Sequence, residues 1–474
     1  MTRDADGGGG GTDLPGAPLA EVSGLAFGVA VRGRLPADFA AFLRPPDAAA
    51  SLPRRELEVG YRAVPQLAEV EEVWVAEPRE PVTRDRFALF RQPEGFGLSV
   101  RAEDTGGPGS AGLFRLGARR IDVEWLPGGA GAAHAFFTYA LPLWLEARGV
   151  TVLHASAVAL GGRVVAFVGP SGVGKSTLCA ELVRVGGGFV ADDGLALEED
   201  AAGGWRCLPG PPWLRLWPSA LEGRLGLAAG ELPRVHPALD KRRLPAAGES
   251  ETPAGGLPLA AVYLIERGPG GDGGGAPAID ACTRRDALLR LVEHSLAAAP
   301  LAALGLAEER LDRLGRLAAR VAVRRLRLPA GADSAQRVRE AILADLGGPP
   351  HDDMGVPNRA PPRPPDADPT GGAAPVPGAA PAAAGEPLVP SPGVRARRVG
   401  EETVLLDLGS ERYFALDEVG AEIWSGLERG LGAEAILAEL VAAFDGEEER
   451  VSADLEALLA ELLAEGLIRP ADPA

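Results

Sequence analysis

Eight residues, Gly169-Pro170-Ser171-Gly172-Val173-Gly174-Lys175-Ser176, carry the spacing G-x-x-x-x-G-K-[ST], with Thr177 directly behind them. The run follows an apolar stretch, 163–168, and precedes a helical pattern, the setting such a loop needs to hold phosphate. Gly172 and Gly174 let the backbone turn its N–H groups inward, and the helix that follows adds its positive end. Lys175 would then reach the β- and γ-phosphates of ATP, and the Ser176 hydroxyl is the expected Mg2+ ligand. Asp192 and Asp193 end the next apolar strand. A helix of about eleven residues between them and Lys175 is long enough to cross back and start a parallel neighbour. Carboxyl ends of parallel strands share one sheet edge, so the acidic pair should emerge beside the loop. One carboxylate can hold Mg2+. The other, its pKa raised by a like-charged neighbour, can take the proton of an attacking hydroxyl.

Three further sites follow from spacing and composition. Gly161-Gly162 reads as a two-residue hairpin turn, so Leu160 pairs Arg163 and counting back pairs His154 with Gly169. That puts the imidazole at the mouth of the phosphate site. His134, His236, His294 and His351 gain no such placement and are assigned no role. Asp240-Lys241-Arg242-Arg243 is the other basic cluster near the core. Lys241 and Arg242 could contact phosphate or an acidic substrate segment, or the cluster is a solvated loop. Of 48 basic residues only Lys175 and Lys241 are lysine. That scarcity singles both out as places for a compact ammonium, against the plain alternative of surface lysines left by chance.

The elements that must position these groups can be read along the chain. At 474 residues it is too long for one core, and two or three domains are expected. Residues 1–16, acidic and Gly-rich, read as a disordered tail on a cytoplasmic protein, and no apolar run is long enough for a membrane span. Residues 17–130 form a β-rich region with strands at 70–77, 86–90, 97–102 and 119–126, and no role is apparent for it. The phosphate-binding core covers 131–346. It starts with a helix from His134 to Arg148, followed by strands at 150–160, 163–168, 259–266 and 321–328 and helices at 287–298 and 334–346. Three scattered cysteines, Cys179, Cys207 and Cys282, argue against disulfides and structural zinc.

From 347 to 392 the composition turns to Pro, Ala, Gly and Asp, a linker that as a coil would span on the order of 40 Å. A compact module follows at 393–474. It has strands at 394–399, 403–408 and 412–415 and a turn at Gly409-Ser410. The first helix is capped by Asp417 and carries Val419, Ile423, Trp424 and Leu427. The second buries Ile436, Leu440, Val441 and Phe444. The third carries Leu455, Leu458, Leu459, Leu462 and Leu463 and stops at Gly466. The chain's formal charge is −18, and residues 401–474 hold 19 Asp or Glu against four Arg. Such a charge repels nucleic acid.

Leu153-His-Ala-Ser-Ala-Val, the Gly-Pro-Ser-Gly-Val-Gly-Lys-Ser-Thr loop and Val-Ala-Asp-Asp, in that order and spacing, resemble the catalytic core of the HPr kinase/phosphorylase family. The resemblance covers about residues 150–346. It implies an α/β P-loop kinase core of the HPr kinase/PEP carboxykinase type that phosphorylates a serine hydroxyl. Lys175 and Ser176 would hold ATP–Mg2+, with Asp193 as a second metal-holding group. Asp192 would act as general base, and His154 would support it. Two features depart from the family: the loop ends Lys-Ser-Thr where Lys-Ser-Glu is usual, and its arginine-containing signature has no clear counterpart. HPr and the reverse phosphorylase reaction are therefore not expected. The family's hexamers leave a homo-oligomer open.

The last 80 residues or so resemble the PqqD family through Gly409-x-x-x-Tyr413-Phe-Ala-Leu-Asp417-x-x-Gly420-x-x-Ile423-Trp424 and Gly466-Leu-Ile468. This implies a winged helix-turn-helix-like α+β module that captures a leader peptide as an added strand. Together the resemblances imply a serine kinase of a ribosomally made precursor peptide, as in lasso-peptide pathways. The alternatives are a non-catalytic, nucleotide-binding peptide chaperone or scaffold, and a kinase of a small hydroxylated metabolite.

Overall fold

Short alternating runs broken by Gly and Pro build a large mixed sheet at the start of the chain. The computed structural model describes residues 18–45, 55–64, 66–75, 85–93, 95–102, 111–126, 131–236, 239–246, 252–267, 276–296, 298–329, 335–347, 388–399, 402–407, 412–444 and 448–471. The predicted tail at 1–16, most of the predicted linker, the Gly409-Ser410 turn and His351 lie outside these residues.

The first sheet contains β1 (Leu19–Ala26), β2 (Val29–Pro36), β3 (Arg55–Ala63), β4 (Glu72–Val75), β5 (Asp85–Gln92), β6 (Gly95–Ala102), β7 (Ala111–Leu116) and β8 (Arg120–Trp125). Its order is β1-β2-β3-β8-β7-β6-β5-β4, with β2-β3 and β3-β8 parallel and the other pairs antiparallel. Leu57, Val59, Ile121, Val123 and Trp125 are buried, while Glu58, Arg120 and Asp122 form an exposed ion-pair ladder. This is the two-faced pattern of an antiparallel-rich sheet. Against the apolar side lies one helical segment: α1 (Ala132–Ala135), a π-turn (Phe136–Ala140) and α2 (Leu141–Glu146). Phe136, Phe137, Leu141 and Trp144 from this segment join Val22, Phe39, Leu57 and Trp125 in one continuous core.

A second, nine-stranded sheet carries the glycine-rich loop at 169–174. It begins with β9 (Thr151–Leu153), β10 (Ser156–Leu160) and β11 (Arg163–Val168), then α3 (Lys175–Arg184), β12 (Gly188–Ala191), β13 (Leu195–Glu199) and β14 (Trp205–Leu208). After β15 (Trp213–Leu216), the short α4 (Pro218–Ala220), β16 (Arg234–His236) and β17 (Leu239–Pro245) comes the long central β18 (Leu257–Arg267). Then follow β19 (Ala278–Ala281), α5 (Arg284–Glu293), α6 (Ala298–Ala303), α7 (Ala307–Arg320), β20 (Ala322–Leu328) and α8 (Ala335–Gly347). The order is β12-β10-β11-β18-β14-β13-β9, with β20 and β19 branching from β18, while β15, β17 and β16 form a small separate sheet. Val262, Tyr263, Leu264 and Ile265 of β18 are all buried, the continuous apolar run of a strand covered on both faces.

Two expectations are corrected here. The strand expected over 150–160 breaks at His154-Ala155 into β9, which pairs β13, and β10, which pairs β11 and β12. The two-residue step therefore links β9, at one end of the strand order, to β10, next to the other end. Also, β12 is not the direct parallel neighbour of β11. It pairs antiparallel with β10, which stands between them. Two antiparallel steps restore the direction, so β11 and β12 still end at the same edge.

The N-terminal sheet is tied to this core. Arg44 Nε donates to Gly210 O at 2.7 Å and its Nη2 to Val190 O at 3.1 Å. Phe27 N reaches Pro209 O at 2.7 Å, and Trp213 Nε1 reaches Ala41 O at 2.9 Å. These bonds hold the segments that lead into Asp192 and Arg215. Positioning them is a task for a region in which the sequence shows no chemistry of its own.

The chain divides into two compact units, one of Met1–Leu343 with Leu408–Tyr413 and the other of Ala344–Asp407 with Phe414–Ala474. The second unit contains β21 (Leu388–Pro390), β22 (Val394–Val399), β23 (Glu402–Asp407), β24 (Tyr413–Leu416), α9 (Glu418–Glu428), α10 (Ala433–Ala443), α11 (Glu448–Ala464) and β25 (Ile468–Pro470). β22, β23 and β24 form a sheet in that order, and β21 pairs β25. Among the described residues, β21 lies before the expected boundary at 393 yet belongs with this module, because it is the partner of the last strand. Asp417 Oδ1 accepts from Gly420 N at 2.9 Å, the expected cap. Leu405, Ile423, Trp424, Leu427, Ile436, Leu440, Leu455, Leu459 and Leu462 form its core. Val441, expected inside, is 36% exposed, since the buried stripe of α10 passes through Ile436 and Leu440 instead. No described helix is long and apolar enough to cross a membrane.

Candidate functional site

The loop between β11 and α3 has the conformation its glycines permit. Gly172 and Gly174 have φ of 82° and 101°, left-handed values that L side chains rarely adopt. α3 starts at Lys175, so the free N–H groups of its first turn face the loop. Lys175 Nζ lies on the loop's own carbonyls, 2.8 Å from Gly169 O and 3.2 Å from Pro170 O. Burial lowers its pKa, and the charges of Asp193 and Asp192 oppose that shift. On the outer side, Arg267 at the end of β18 donates from Nε to Val173 O at 3.2 Å.

The two carboxylates sit in different surroundings. Asp192 is 6% exposed. Its Oδ1 accepts from Ser156 Oγ at 2.6 Å and its Oδ2 from the Arg215 amide at 2.7 Å. The Ser176 hydroxyl faces the same carboxylate and helps to hold its charge, but burial outweighs these donors and raises the pKa. Asp193 has φ of 69°, the left-handed region, which turns its side chain away from that of Asp192. It ion-pairs with Arg215 and stands 3.6 Å from His154 Nε2. Burial opposes ionisation of Asp193, but Arg215, His154 and Lys241 overcome it and hold the pKa at about 2.

The contacts differ from those the resemblance implies: the Ser176 hydroxyl acts on the Asp192 carboxylate, and His154 stands beside Asp193. His154 does not reach its place through the hairpin ladder either. The β10–β11 register is the expected one, Leu160 opposite Arg163, but it ends at Ser156 opposite Phe167. His154 is fixed instead by its amide, which donates to His294 O at 2.7 Å. Among the described residues no three His, Cys, Asp or Glu side chains cluster as a metal cage. The Ser176 hydroxyl beside the Asp192 carboxylate is a hard-oxygen set suited to Mg2+ shared with phosphate.

Lys241 and Arg242 lie on β17, a strand rather than a loop, and so face opposite ways. Lys241 is on the site side, with Nζ 5.5 Å from the centre of the Trp217 ring. Arg242, on the opposite face, pairs with Asp240 at 2.8 Å.

Sequence reasoning missed Arg215, Ser156, Thr138 and three histidines. Arg215 is 9% exposed and links Asp193 to Thr138, whose Oγ1 accepts from Nη2 at 2.6 Å. The π-turn at 136–140 presents Thr138, as such turns often do at functional sites. His134 lies 3.4 Å from the same hydroxyl, and its ring centre is 5.4 Å from that of His236. The available signal was Trp213-x-Arg215-x-Trp217, a cation between two tryptophans at strand period.

Burial depresses the pKa of His134, His154 and His294. His154 falls from the usual 6.5 to about 4, and Lys175 and Lys241 contribute to that shift. The unfolded chain therefore binds more protons than the folded one between those two values, so stability falls as pH drops through this window. The melting temperature should be several degrees lower at about pH 5 than at about pH 7.5. An unchanged melting temperature over that range would contradict neutral, buried imidazoles.

Residues 402–468 match the family model described as Coenzyme PQQ synthesis protein D (PqqD). Among solved structures, the chain is similar to TbiB1 in complex with the TbiA(beta) leader peptide. The identity is 33% over 18% of this chain and 99% of that one, with a TM-score of 0.17. It is also similar to the Hpr(Ser) kinase/phosphatase from Coxiella burnetii, at 11% identity over 41% of this chain and 89% of that one, with a TM-score of 0.21. No curated protein matches the sequence. The chain thus carries a PqqD domain near its C-terminus.

Proposed function

We propose that this protein is an ATP-dependent kinase that phosphorylates a serine of a ribosomally synthesised precursor peptide, the peptide's leader being held by the PqqD domain. The observation that carries the reading is the joining, in one chain, of that domain to a phosphate loop with two differently placed carboxylates behind it. In the PqqD domain, the sheet β22-β23-β24 has edges along which an extended leader could add as a strand. Joining both units in one chain would raise the peptide's effective concentration at the loop.

In this reading the loop amides and Lys175 cradle the phosphates of ATP, with Ser176 and Asp192 on the metal side. Bound Mg2+ would neutralise charge on the transferring phosphoryl group. The serine hydroxyl approaches Asp193, the more open of the two carboxylates at 24% side-chain exposure. In a largely dissociative transfer little proton movement precedes the transition state, so a carboxylate with a low pKa can orient the hydroxyl and take its proton late. Arg215 keeps Asp193 ionised, and the neutral His154 fixes one face of it.

The test is to incubate the protein with ATP, Mg2+ and the precursor peptide and to look for a phosphate-sized mass gain on serine. The leaderless core peptide should react roughly a hundredfold more slowly at low concentration, because tethering is lost. Intact ATP and unmodified peptide after long incubation would favour a scaffold. Equal rates with and without the leader would remove the PqqD domain from the mechanism.

A further inference from the structure

The small sheet beside the phosphate site has one face that the proposed phosphoryl transfer leaves largely unused. Trp213, Arg215 and, just past the strand end, Trp217 alternate along β15, while Lys241, Arg243 and Pro245 alternate along β17. The register sets Arg215 opposite Arg243 and Leu216 opposite Arg242, and one further step sets Trp217 opposite Lys241. Cations and rings interleave on this face. Arg215 lies 5.3 Å and Arg243 5.9 Å from the centre of Trp213, Arg243 lies 5.6 Å from Phe42, and Lys241 lies 5.5 Å from Trp217.

The charges along this strip do not balance. Asp193 is taken by Arg215, and Asp38 acts on Arg243. Asp240, next to Lys241 in sequence, points to the opposite face, where Arg234 at 3.2 Å and Arg242 at 2.8 Å hold it. Lys241 adds its charge to the field that keeps Asp193 ionised, but the group it is seated on is an aromatic ring, and that ring, Trp217, is 41% exposed. An ammonium seated on an open indole, on the Asp193 side of the site, is a ready receptor for an anion with an apolar stem. Lys241 is also one of only two lysines in the chain, and the other is Lys175 of the phosphate loop.

We propose that Lys241 and Trp217 form an acceptor subsite that takes a carboxylate lying next to the hydroxyl to be phosphorylated. The proposal rests on the kinase reading. It adds a substrate class: acceptors with a carboxylate adjacent to the reacting serine, from an Asp or Glu side chain or from a free C-terminus. Lys241 acts on the acceptor and not on the nucleotide, so its removal changes which peptides react and leaves ATP affinity alone.

The experiment uses the full chain, Mg2+, labelled ATP and a set of short serine peptides at millimolar concentration, high enough to replace tethering. Next to serine the peptides carry Asp, Asn, Ala or Lys, and each is made as free acid and as C-terminal amide. Wild type should prefer carboxylate-bearing peptides about tenfold in kcat/KM, one charged contact's worth. The Asp/Asn comparison reports a side-chain source and the acid/amide comparison a C-terminal one. In Lys241→Met the preference should vanish while the Kd for Mg–ATP and the melting temperature stay as in wild type. Trp217→Leu should reduce the preference without abolishing it. Transfer without discrimination, discrimination that survives in Lys241→Met, or a weakened ATP Kd in that variant would each overturn the subsite. Bound ATP with no transfer to any peptide would instead sink the kinase reading, and the subsite with it.

Discussion

Asp193→Asn is expected to lose phosphoryl transfer by roughly a thousandfold while binding Mg–ATP almost as well as wild type. Asp192→Asn is expected to weaken Mg–ATP binding instead. The two carboxylates are adjacent in sequence, yet the Ser176 hydroxyl helps to hold the charge of the buried Asp192, while Asp193 is the more exposed of the two. Asn is a suitable replacement at 193 because it tolerates the left-handed backbone that Asp193 adopts at φ 69°. The change removes the charge and leaves the chain path alone. It also leaves Arg215 without its carboxylate, although the Thr138 hydroxyl and the Trp213 ring still hold the guanidinium. Calorimetry with Mg–ATP and initial rates on the same folded samples separate the two variants. The reverse pattern, with binding lost at Asp193→Asn and catalysis lost at Asp192→Asn, would restore the roles implied by family resemblance.

That pair also shows how far the sequence could be read. The glycine turns of the 169–176 loop, the strand before it and the position of the acidic pair at the same sheet edge follow from local spacing, and the structure has each of them. The allocation of contacts between Asp192 and Asp193 depends on a single backbone torsion, and nothing in Val-Ala-Asp-Asp specifies it. His154 shows a different limit. The ladder counted back from Gly161-Gly162 is real, but where a strand leaves its sheet depends on the tertiary competition between β13 and β11 for residues 151–160. Arg215 was harder still, since its partners Thr138 and Asp193 lie 77 and 22 residues away. In the C-terminal unit the helix stripes and the Asp417 cap were legible because helical periodicity and capping are local. The extra strand at Leu388–Pro390 was not, because only its pairing with β25 makes it a strand.

Glu146→Ala is expected to destabilise the first unit by about 3–5 kcal/mol, the largest effect on folding that a single substitution should produce here. The Glu146 side chain is 0% exposed at the end of α2. Its Oε2 pairs with Arg313 Nη2 at 2.9 Å and its Oε1 lies 3.5 Å from Arg310 Nε, while Oε1 also accepts from Val152 N at 2.7 Å. One carboxylate thus joins α2, α7 and β9, and removing it strands two buried guanidinium groups and one amide. Burial makes the cost large, because the stranded charges cannot turn to water. The same reasoning predicts a rescue. Replacing the whole triad with apolar groups, Glu146→Met with Arg310→Leu and Arg313→Leu, should recover most of the loss, since no charge then remains unpaired. Denaturant melts of the single and triple variants test both halves. A loss below about 1 kcal/mol for Glu146→Ala would mean that water reaches the arginines. A triple variant no better than the single one would place the stabilisation in the Val152 bond. Because β9, which Glu146 anchors through the Val152 amide, leads directly to His154, either result also bears on the site.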